Sequence, residues 1–206
     1  MGQERMEFFY DLSSPWTYLA FHNLFGVMER TGYCAQLRPI LVGGVFNAVN
    51  PAIYKAREQN DNRRMKHSWK VLKDWAAVAG VEMNFPSQWH PAKSVNAMRM
   101  ACTLAGDMPG LVEFSRAAFE SYFGRQENLD DVDVLVAVAN RVGLDGEAMR
   151  DGAGRDEIKA LLRANTEELV ARGGYGSPTI FVDGGDMYFG NDQLPLVEAA
   201  LIRTSA

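Results

Sequence analysis

The residue of this sequence best placed to do chemistry is a serine at the start of a helix. Ser14 follows the strongly apolar residues 6–11, and Pro15 comes next, where the first residue of a helix tolerates a missing N–H. A hydroxyl group there lies beside the positive end of the helix dipole and near unpaired backbone N–H groups. Such a place can bind an anion or stabilise a thiolate, although most serines before a helix are only N-caps. The position alone therefore predicts either a cap or a binding site.

The cysteines and histidines form no recognisable reactive group. Cys34 and Cys102 are far apart and belong to no Cys-x-x-Cys or metal-binding spacing. His22, His67 and His90 are scattered, again without metal-ligand spacing. We therefore expect no metal site, and we expect both cysteines to be small buried hydrophobic residues, with a disulfide between them as the alternative.

Two predicted strands and a helix surround Ser14. Residues 6–11 are almost continuously apolar, which predicts a central strand that is covered on both faces. The helix that begins at Pro15 ends at Gly32, and residues 34–41 predict a second strand. A β-α-β unit of this length indicates a parallel pair. The Gly- and Asn-rich residues 42–51 predict a loop.

Residues 61–172 are predicted to be almost wholly helical. Apolar residues recur there at the spacing that marks one face of a helix. Asp131 has the type and place of an N-cap, and a Gly-rich joint at residues 152–154 precedes a last long helix. The helices predicted before Asp131 cover residues 65–79, 92–104 and 109–123.

The end of the chain returns to β-structure. Residues 179–182 and 187–189 predict two strands joined by a hairpin turn, and Asn191 or Asp192 caps a last helix. The order β-α-β, helical block, β-β-α is that of a thioredoxin-like sheet with an insertion. We therefore predict an α/β protein with a thioredoxin-like domain at residues 1–60 and 173–206 and an inserted all-helical domain at residues 61–172.

The composition is that of an ordinary soluble globular protein. Of the 206 residues, 47% are hydrophobic, and the formal net charge is −5. No basic block is present, so we expect no nucleic-acid partner. No apolar run approaches the length of a membrane span, so we expect no membrane association. The polar N-terminus has no apolar signal region, which favours a cytoplasmic location.

A second Ser-Pro pair precedes the third predicted strand. In a thioredoxin-like fold this loop carries a cis-proline that faces the start of the first helix, so we predict a cis bond between Ser177 and Pro178 instead of the commoner trans turn. Redox members of that fold place a Cys-x-x-Cys where residues 14–17 stand here. Ser14 and Thr17 carry no sulfur, so this site cannot shuttle a disulfide. A hydroxyl in place of the nucleophilic cysteine suggests that a thiol arrives with a ligand, and glutathione is the obvious one.

Motifs spread along the chain resemble those of one group of enzymes. Residues 10–19 resemble the Asp-x-x-Ser-Pro-aromatic-Ser/Thr-aromatic-Leu opening of the 2-hydroxychromene-2-carboxylate isomerases and the kappa-class glutathione transferases. These enzymes are DsbA-like thioredoxin folds with a helical insertion, so the resemblance implies the same fold as the order of elements. The likeness continues through residues 38–46, 50–51, 66, 74–76, 84–86, 176–184 and 189–192.

The resemblance also implies roles for individual residues. Ser14 matches the catalytic serine that hydrogen-bonds the glutathione sulfur, and Ser177 matches the residue whose backbone holds the cysteinyl part. The Lys66 ammonium suits a carboxylate of the tripeptide, with Lys55 as the alternative basic residue. The residues that the resemblance assigns to glutathione binding are Asn50, Lys66, Ser177, Pro178, Asn191 and Asp192.

The activity implied by the resemblance is glutathione-dependent cis–trans isomerisation of 2-hydroxychromene-2-carboxylate or a similar intermediate of aromatic catabolism. In the implied mechanism, the glutathione thiolate adds to a conjugated carbon, the former double bond rotates, and the thiolate leaves, so glutathione is regenerated. A kappa-like glutathione transferase, which consumes glutathione, is the first alternative. A non-catalytic glutathione-binding module is the second. A homodimer is also implied.

Overall fold

A mixed four-stranded sheet forms the centre of the structure. The computed structural model describes residues 4–49 and 63–203. Its sheet has the order β2-β1-β3-β4, in which β1 and β2 are parallel and the other two pairs are antiparallel. The predicted α/β fold, with strands from both ends of the chain, is therefore confirmed. The strands are β1 (Glu4–Tyr10), β2 (Cys34–Pro39), β3 (Thr179–Val182) and β4 (Asp186–Phe189).

Helices cover the sheet and fill the middle of the chain. Within the described ranges, none is long and apolar enough to span a membrane. A π-helical turn, Glu120–Gly124, follows the fifth helix, and a 3₁₀ turn, Asn191–Gln193, precedes the last one. The helices are α1 (Pro15–Thr31), α2 (Val42–Val49), α3 (Arg63–Ala79), α4 (Val95–Cys102), α5 (Met108–Phe119), α6 (Val132–Arg141), α7 (Gly146–Ala153), α8 (Asp156–Ala171) and α9 (Leu194–Arg203).

The first strand is central and buried on both faces, as its apolar run predicts. Phe8, Phe9 and Tyr10 are all fully buried. Phe8 and Tyr10 pack into the main core, which also contains buried residues of α1 and α9. Phe9 points to the opposite face, where it packs with Ile40, Val45, Leu169 and Phe181. The alternation of side chains along β1 therefore ties both layers of helices to one strand.

One hydrophobic core joins the sheet to the helices between residues 63 and 171. Tyr10 of β1 belongs to the same cluster of buried side chains as Phe119 of α5 and Leu135 of α6. The rings of Tyr10 and Phe119 have centroids 6.5 Å apart. The predicted division between residues 60 and 61 falls outside the described residues, so the two-domain boundary stays a prediction.

Several helix ends lie where capping residues predict them. Gly32 and Gly80 adopt φ values of 74° and 67° directly after α1 and α3. That left-handed conformation favours glycine and ends a helix. At the start of α6, the Asp131 carboxylate accepts a hydrogen bond from the Asp133 N–H at 2.9 Å. These local signals are reliable because the cap and the helix are neighbours in sequence.

The loop predicted for residues 42–51 is wrong over residues 42–49, which form α2, and its last two residues lie outside the described ranges. The Asp11 carboxylate accepts a hydrogen bond from the Val42 N–H at 2.8 Å, so a distant residue stabilises the helix start. Gly44 lies against α8, where an added Cβ would meet the Thr166 methyl group at 3.2 Å. The small residues that suggest a loop therefore permit close packing of two helices.

The Gly-rich joint expected at residues 152–154 is instead the end of a helix, α7. The Asp145 carboxylate caps α7 by accepting from the Ala148 N–H at 2.9 Å. Gly146 lies so close to α6 that an added Cβ would meet the Val136 carbonyl oxygen at 2.5 Å. Packing against a neighbouring helix therefore explains glycines that would weaken a helix in isolation.

Glu127 connects the π-helical turn to α6 through its hydrogen bonds. We expect its replacement to cause a small, pH-dependent loss of stability. Its carboxylate accepts two hydrogen bonds from Arg141, at 3.0 and 2.7 Å, and one from the Ser121 hydroxyl. The Arg141 bonds, helped by Ser121, lower the pKa of Glu127 to about 2. A lowered pKa contributes stability above the unfolded value, and that contribution is lost as pH falls toward 2. Because both side chains are about one-third exposed, we expect Glu127→Gln to lower the free energy of unfolding by only about 1 kcal/mol near neutral pH.

Urea unfolding at about pH 7 and about pH 3 measures this effect. The gap between wild type and Glu127→Gln should shrink at the lower pH. Glu113→Gln is the matched control, because the Glu113–Arg116 pair is more exposed and we expect a change of at most a few tenths of a kcal/mol. A gap for Glu127→Gln that does not change with pH would contradict the assignment.

Candidate functional site

Ser14 caps α1 and also reaches the loop before β3. Its backbone is extended (φ −97°, ψ 119°), and its hydroxyl oxygen accepts a hydrogen bond from the Thr17 N–H at 3.2 Å. The same hydroxyl donates to the Ser177 carbonyl oxygen at 3.2 Å. Ser14 is half-buried, so its hydroxyl keeps contact with solvent. Capping uses only a lone pair of the oxygen, and the one hydroxyl proton is donated to the Ser177 carbonyl oxygen. Donation to a bound ligand would therefore replace the bond to Ser177, while the cap bond from Thr17 stays in place.

The peptide bond between Ser177 and Pro178 is cis, as predicted. Ser177 is buried, and its hydroxyl oxygen accepts from the Asp11 N–H at 2.9 Å. The same oxygen lies 2.8 Å from the Thr17 hydroxyl. Together with the bond from Ser14, these contacts hold the cis-proline loop against the start of α1. The structure therefore brings Ser14 and Ser177 together.

No thiol stands at this site. Thr17, at the place of the second redox cysteine, is fully buried and bonded to Ser177. Cys34 and Cys102 are free thiols, and burial raises the pKa of Cys102 to about 12, so that thiol stays protonated. Among the residues that the structure describes, no group of His, Cys, Asp and Glu could hold a metal ion.

Asp11 organises the site from beneath, a role that the sequence analysis missed. It is fully buried, and one carboxylate oxygen accepts from the N–H and hydroxyl of Ser13, at 2.9 and 2.8 Å. The other accepts from the Val42 N–H at 2.8 Å and the Ser94 hydroxyl at 3.0 Å. Burial raises the pKa of Asp11, and these hydrogen bonds oppose that rise. One local feature of the sequence could have indicated this role. Asp11 directly follows an apolar strand, and an aspartate there often accepts a hydrogen bond from the backbone N–H two residues later.

The turn before α9 completes the edge of the site. The Gly190 N–H donates to the Pro178 carbonyl oxygen at 3.2 Å, so this turn touches the cis-proline loop. The Asn191 side chain is buried and accepts from the Asn23 amide of α1 at 2.8 Å, whereas Asp192 is exposed. Neither residue is the N-cap predicted from the sequence, because a 3₁₀ turn with Gly190 at its start comes before α9.

The remaining predicted residues lie on another helix or outside the described ranges. Lys66 is exposed in the first turn of α3, a helix that packs against α1. Asn50 and Lys55 belong to residues that the structure does not describe. The structure therefore brings Ser14, Ser177, Pro178 and the Asn191–Asp192 turn together, and every assignment to glutathione binding stays a prediction.

Two aromatic rings approach Gly176, the residue before Ser177, and a third ring packs on one of them. An added Cβ at Gly176 would meet the Phe189 ring at 2.8 Å and the Phe46 ring at 3.8 Å. Tyr175 packs on Phe189, with ring centroids 4.6 Å apart. Tyr175 is another residue that the sequence analysis missed. Its neighbours in the fold come from distant parts of the chain, so no local pattern marks it.

The arrangement can bind an anionic sulfur or oxygen. The Ser14 hydroxyl can donate a hydrogen bond, and the start of α1 provides the positive end of its helix dipole. The half-buried setting strengthens such interactions relative to bulk water. A thiol held there is therefore expected to have a lowered pKa.

Comparison with known proteins agrees with this fold. The DSBA-like thioredoxin domain family matches residues 5–202. A 2-hydroxychromene-2-carboxylate isomerase of Sphingobium xenophagum is 29% identical over 201 residues, covering 96% of this chain and 97% of the relative. Glutathione S-transferase kappa 1 of Rattus norvegicus is 25% identical over 206 residues, covering 93% of this chain and 88% of the relative. A solved 2-hydroxychromene-2-carboxylate isomerase structure has a TM-score of 0.81 at 21% identity, covering 97% of this chain and 95% of that one.

These likenesses confirm the family resemblance that the motifs indicate. The match to the family extends from β1 to α9, and so includes the Ser14 turn, the cis-proline loop and the helices between them. The similar proteins cover nearly the whole chain and not one motif. On this basis the chain belongs to the DsbA-like thioredoxin domain family.

Proposed function

We propose that this protein is a glutathione-dependent isomerase that acts on 2-hydroxychromene-2-carboxylate or a similar intermediate of aromatic catabolism. The observation that carries the proposal is a thioredoxin-like active-site edge with hydroxyl groups at both cysteine places. Ser14 and Thr17 stand at the start of α1, and the cis-proline loop faces them. Such a site can orient a thiol but cannot supply one. The name of the relative that is 29% identical supports the isomerase assignment.

The residues at the site fit glutathione. Ser14 would donate a hydrogen bond to the sulfur, and the backbone of Ser177, beside Pro178, would pair with the cysteinyl part. The exposed Asp192 carboxylate suits the ammonium of the γ-glutamyl end, and backbone N–H groups of the Asn191–Asp192 turn suit its carboxylate. We assign Lys66 and Asn50 to the rest of the tripeptide.

Bound glutathione would supply a thiolate able to add to and leave a conjugated carbon. The chain's own part is to hold that sulfur ionised and in place. Ser14 provides a hydrogen-bond donor, and the start of α1 provides a favourable field for negative charge. Ser177 fixes the direction of the cysteinyl backbone, since the loop that carries it is bonded to Thr17 and Asp11.

A kappa-like glutathione transferase is the second candidate, because the rat relative bears that name. The two activities differ in what happens to the thiol, which the isomerase regenerates and the transferase consumes.

The test incubates the protein with glutathione and 2-hydroxychromene-2-carboxylate, and follows both the isomer ratio and the free thiol. Isomerisation without net thiol loss is the expected result, and omission of glutathione should abolish it.

The other outcomes separate the alternatives. Stoichiometric thiol loss would contradict the isomerase and favour the transferase. Glutathione binding without turnover of either kind would favour a non-catalytic binding module. We also propose a cytoplasmic homodimer, with a glutathione-binding domain at residues 1–60 and 173–206 and a helical domain at residues 61–172. Its oligomeric state can be measured by sedimentation.

A further inference from the structure

We infer that Tyr175, Phe189 and Phe46 form an aromatic subsite that receives the flat ring of the substrate beside the glutathione sulfur. This inference rests on the proposed function, because it needs a thiol held at Ser14. It adds the place and the chemistry of the second ligand: a planar aromatic group, bound by ring contacts on the side of the cis-proline loop that faces α2.

The subsite begins one residue away from the sulfur-binding loop. Gly176 precedes Ser177, whose carbonyl oxygen contacts the Ser14 hydroxyl at 3.2 Å. The Phe189 ring approaches Gly176 so closely that an added Cβ would lie 2.8 Å from it. The aromatic surface therefore begins at the residue next to the one that contacts Ser14.

The exposed fractions of the rings distinguish this cluster from ordinary core packing, because one of its rings is open to solvent. Phe46 is 7% exposed and forms the buried base of the subsite. Tyr175 is 44% exposed, although its ring packs on Phe189 with centroids 4.6 Å apart. A large aromatic side chain that is ordered against another ring and still open to solvent offers a free face to a ligand.

The chemistry of these rings favours a planar aromatic occupant. Offset or edge-to-face ring pairs gain energy beyond the area that they bury, and they select flat groups over branched aliphatic ones. Tyr175 also carries a phenolic hydroxyl, which can bond a polar substituent of the ring. Tyr175 stands two residues before Ser177, so the backbone between them spans at most about 7 Å.

Binding of two glutathione thioethers tests the subsite without requiring turnover. S-benzylglutathione carries a flat ring on the sulfur, and S-methylglutathione carries none. Isothermal titration of the full-length protein should give tighter binding of the benzyl compound. In Tyr175→Ala, we expect the Kd of S-benzylglutathione to rise about fivefold and the Kd of S-methylglutathione to change less than about twofold.

Trp75→Ala is the matched control. Trp75 is a similarly exposed aromatic residue, 36% exposed, but it lies in the last part of α3 and outside the rings around Gly176. We expect it to leave both dissociation constants unchanged. Because Tyr175 is nearly half exposed, its replacement should also preserve the fold, which the melting temperature of each variant checks.

The outcomes distinguish failure of the subsite from failure of the proposed function. An unchanged preference for the benzyl compound in Tyr175→Ala, or equal loss of both ligands, would overturn the subsite while glutathione binding itself stands. Binding of neither thioether by the wild-type protein would overturn the proposed function and the subsite with it. Turnover gives a second readout: the KM for the chromene carboxylate should rise in Tyr175→Ala, while the KM for glutathione stays constant.

Discussion

Ser14→Ala should lower kcat/KM for glutathione-dependent isomerisation by about 100-fold. The variant removes a hydrogen-bond donor aimed at the place where negative charge is held, and loss of one such donor typically has an effect of this size. Its backbone N–H groups and helix dipole remain, so some activity should persist. Steady-state kinetics measures the rate, and the ultraviolet absorbance of the thiolate against pH measures the pKa of bound glutathione. That pKa should rise toward the value of the free tripeptide.

Ser13→Ala is the control for this prediction. Ser13 is the neighbouring serine, and its hydroxyl donates to Asp11 at 2.8 Å. We expect the activity of Ser13→Ala to stay within about threefold of wild type. The Ser13 hydroxyl is bonded to the buried Asp11 carboxylate and is not the group that we assign to the sulfur. Ser14→Ala also loses the N-cap bond to Thr17, worth about 1 kcal/mol, so the fraction folded must be measured alongside. An unchanged pKa of bound glutathione in Ser14→Ala would contradict the role proposed for Ser14. Loss of activity only in Ser13→Ala would assign that role to Ser13 instead.

Asp11→Ala should lower the free energy of unfolding by about 3 kcal/mol. The carboxylate is fully buried and accepts four hydrogen bonds, two of them from the backbone N–H groups of Ser13 and Val42. Alanine leaves these buried donors without an acceptor, and each such loss is expensive. Removing the buried carboxylate also removes the desolvation cost of its charge. The expected loss of stability is therefore well below the sum for four unsatisfied hydrogen-bonding groups. Urea unfolding gives the free energy directly.

Tyr10→Phe is the matched control for Asp11→Ala. Tyr10 is the preceding residue, is equally buried, and makes one hydrogen bond, to the Ser115 hydroxyl at 2.7 Å. We expect a loss of about 1 kcal/mol from this variant. If the two variants lost equal free energies of unfolding, the four hydrogen bonds to Asp11 would contribute no more stability than the single bond of the Tyr10 hydroxyl, which would contradict the prediction. Glutathione binding should weaken in Asp11→Ala but not in Tyr10→Phe, because only the Asp11 carboxylate bonds Ser13, the residue next to Ser14.

The elements that the sequence predicted well are those with local causes. β1 is identified by its continuous apolar run, and α1 by Ser14 and Pro15 at its start and Gly32 at its end. The cis bond at Pro178 followed from the order of elements around it. For β1 and α1, the residues that determine the conformation are the residues that adopt it or stand next to them, whereas the cis bond was predicted from the fold class.

The elements that the sequence missed depend on contacts between distant residues. α2 receives a hydrogen bond from Asp11, more than thirty positions earlier, and α7 packs its glycine against α6. Asn191 and Asp192 look equivalent in sequence, yet one side chain is bonded to Asn23 of α1 and the other is exposed. Glycine, asparagine and aspartate favour turns and helix starts alike, so only the neighbours in space decide between these roles.

By itself, the sequence determined the fold class, the helix start at Ser14 and the absence of a cysteine pair beside it. Residue type and local order suffice for those conclusions, because a hydroxyl cannot do the work of a sulfur wherever the chain folds. Only the tertiary structure decided that Asp11 lies beneath the site and that Tyr175 and Phe46 flank the same loop. Hydrogen bonds and ring contacts act over a few ångströms, and the folded sheet brings within that range residues that are far apart in the chain.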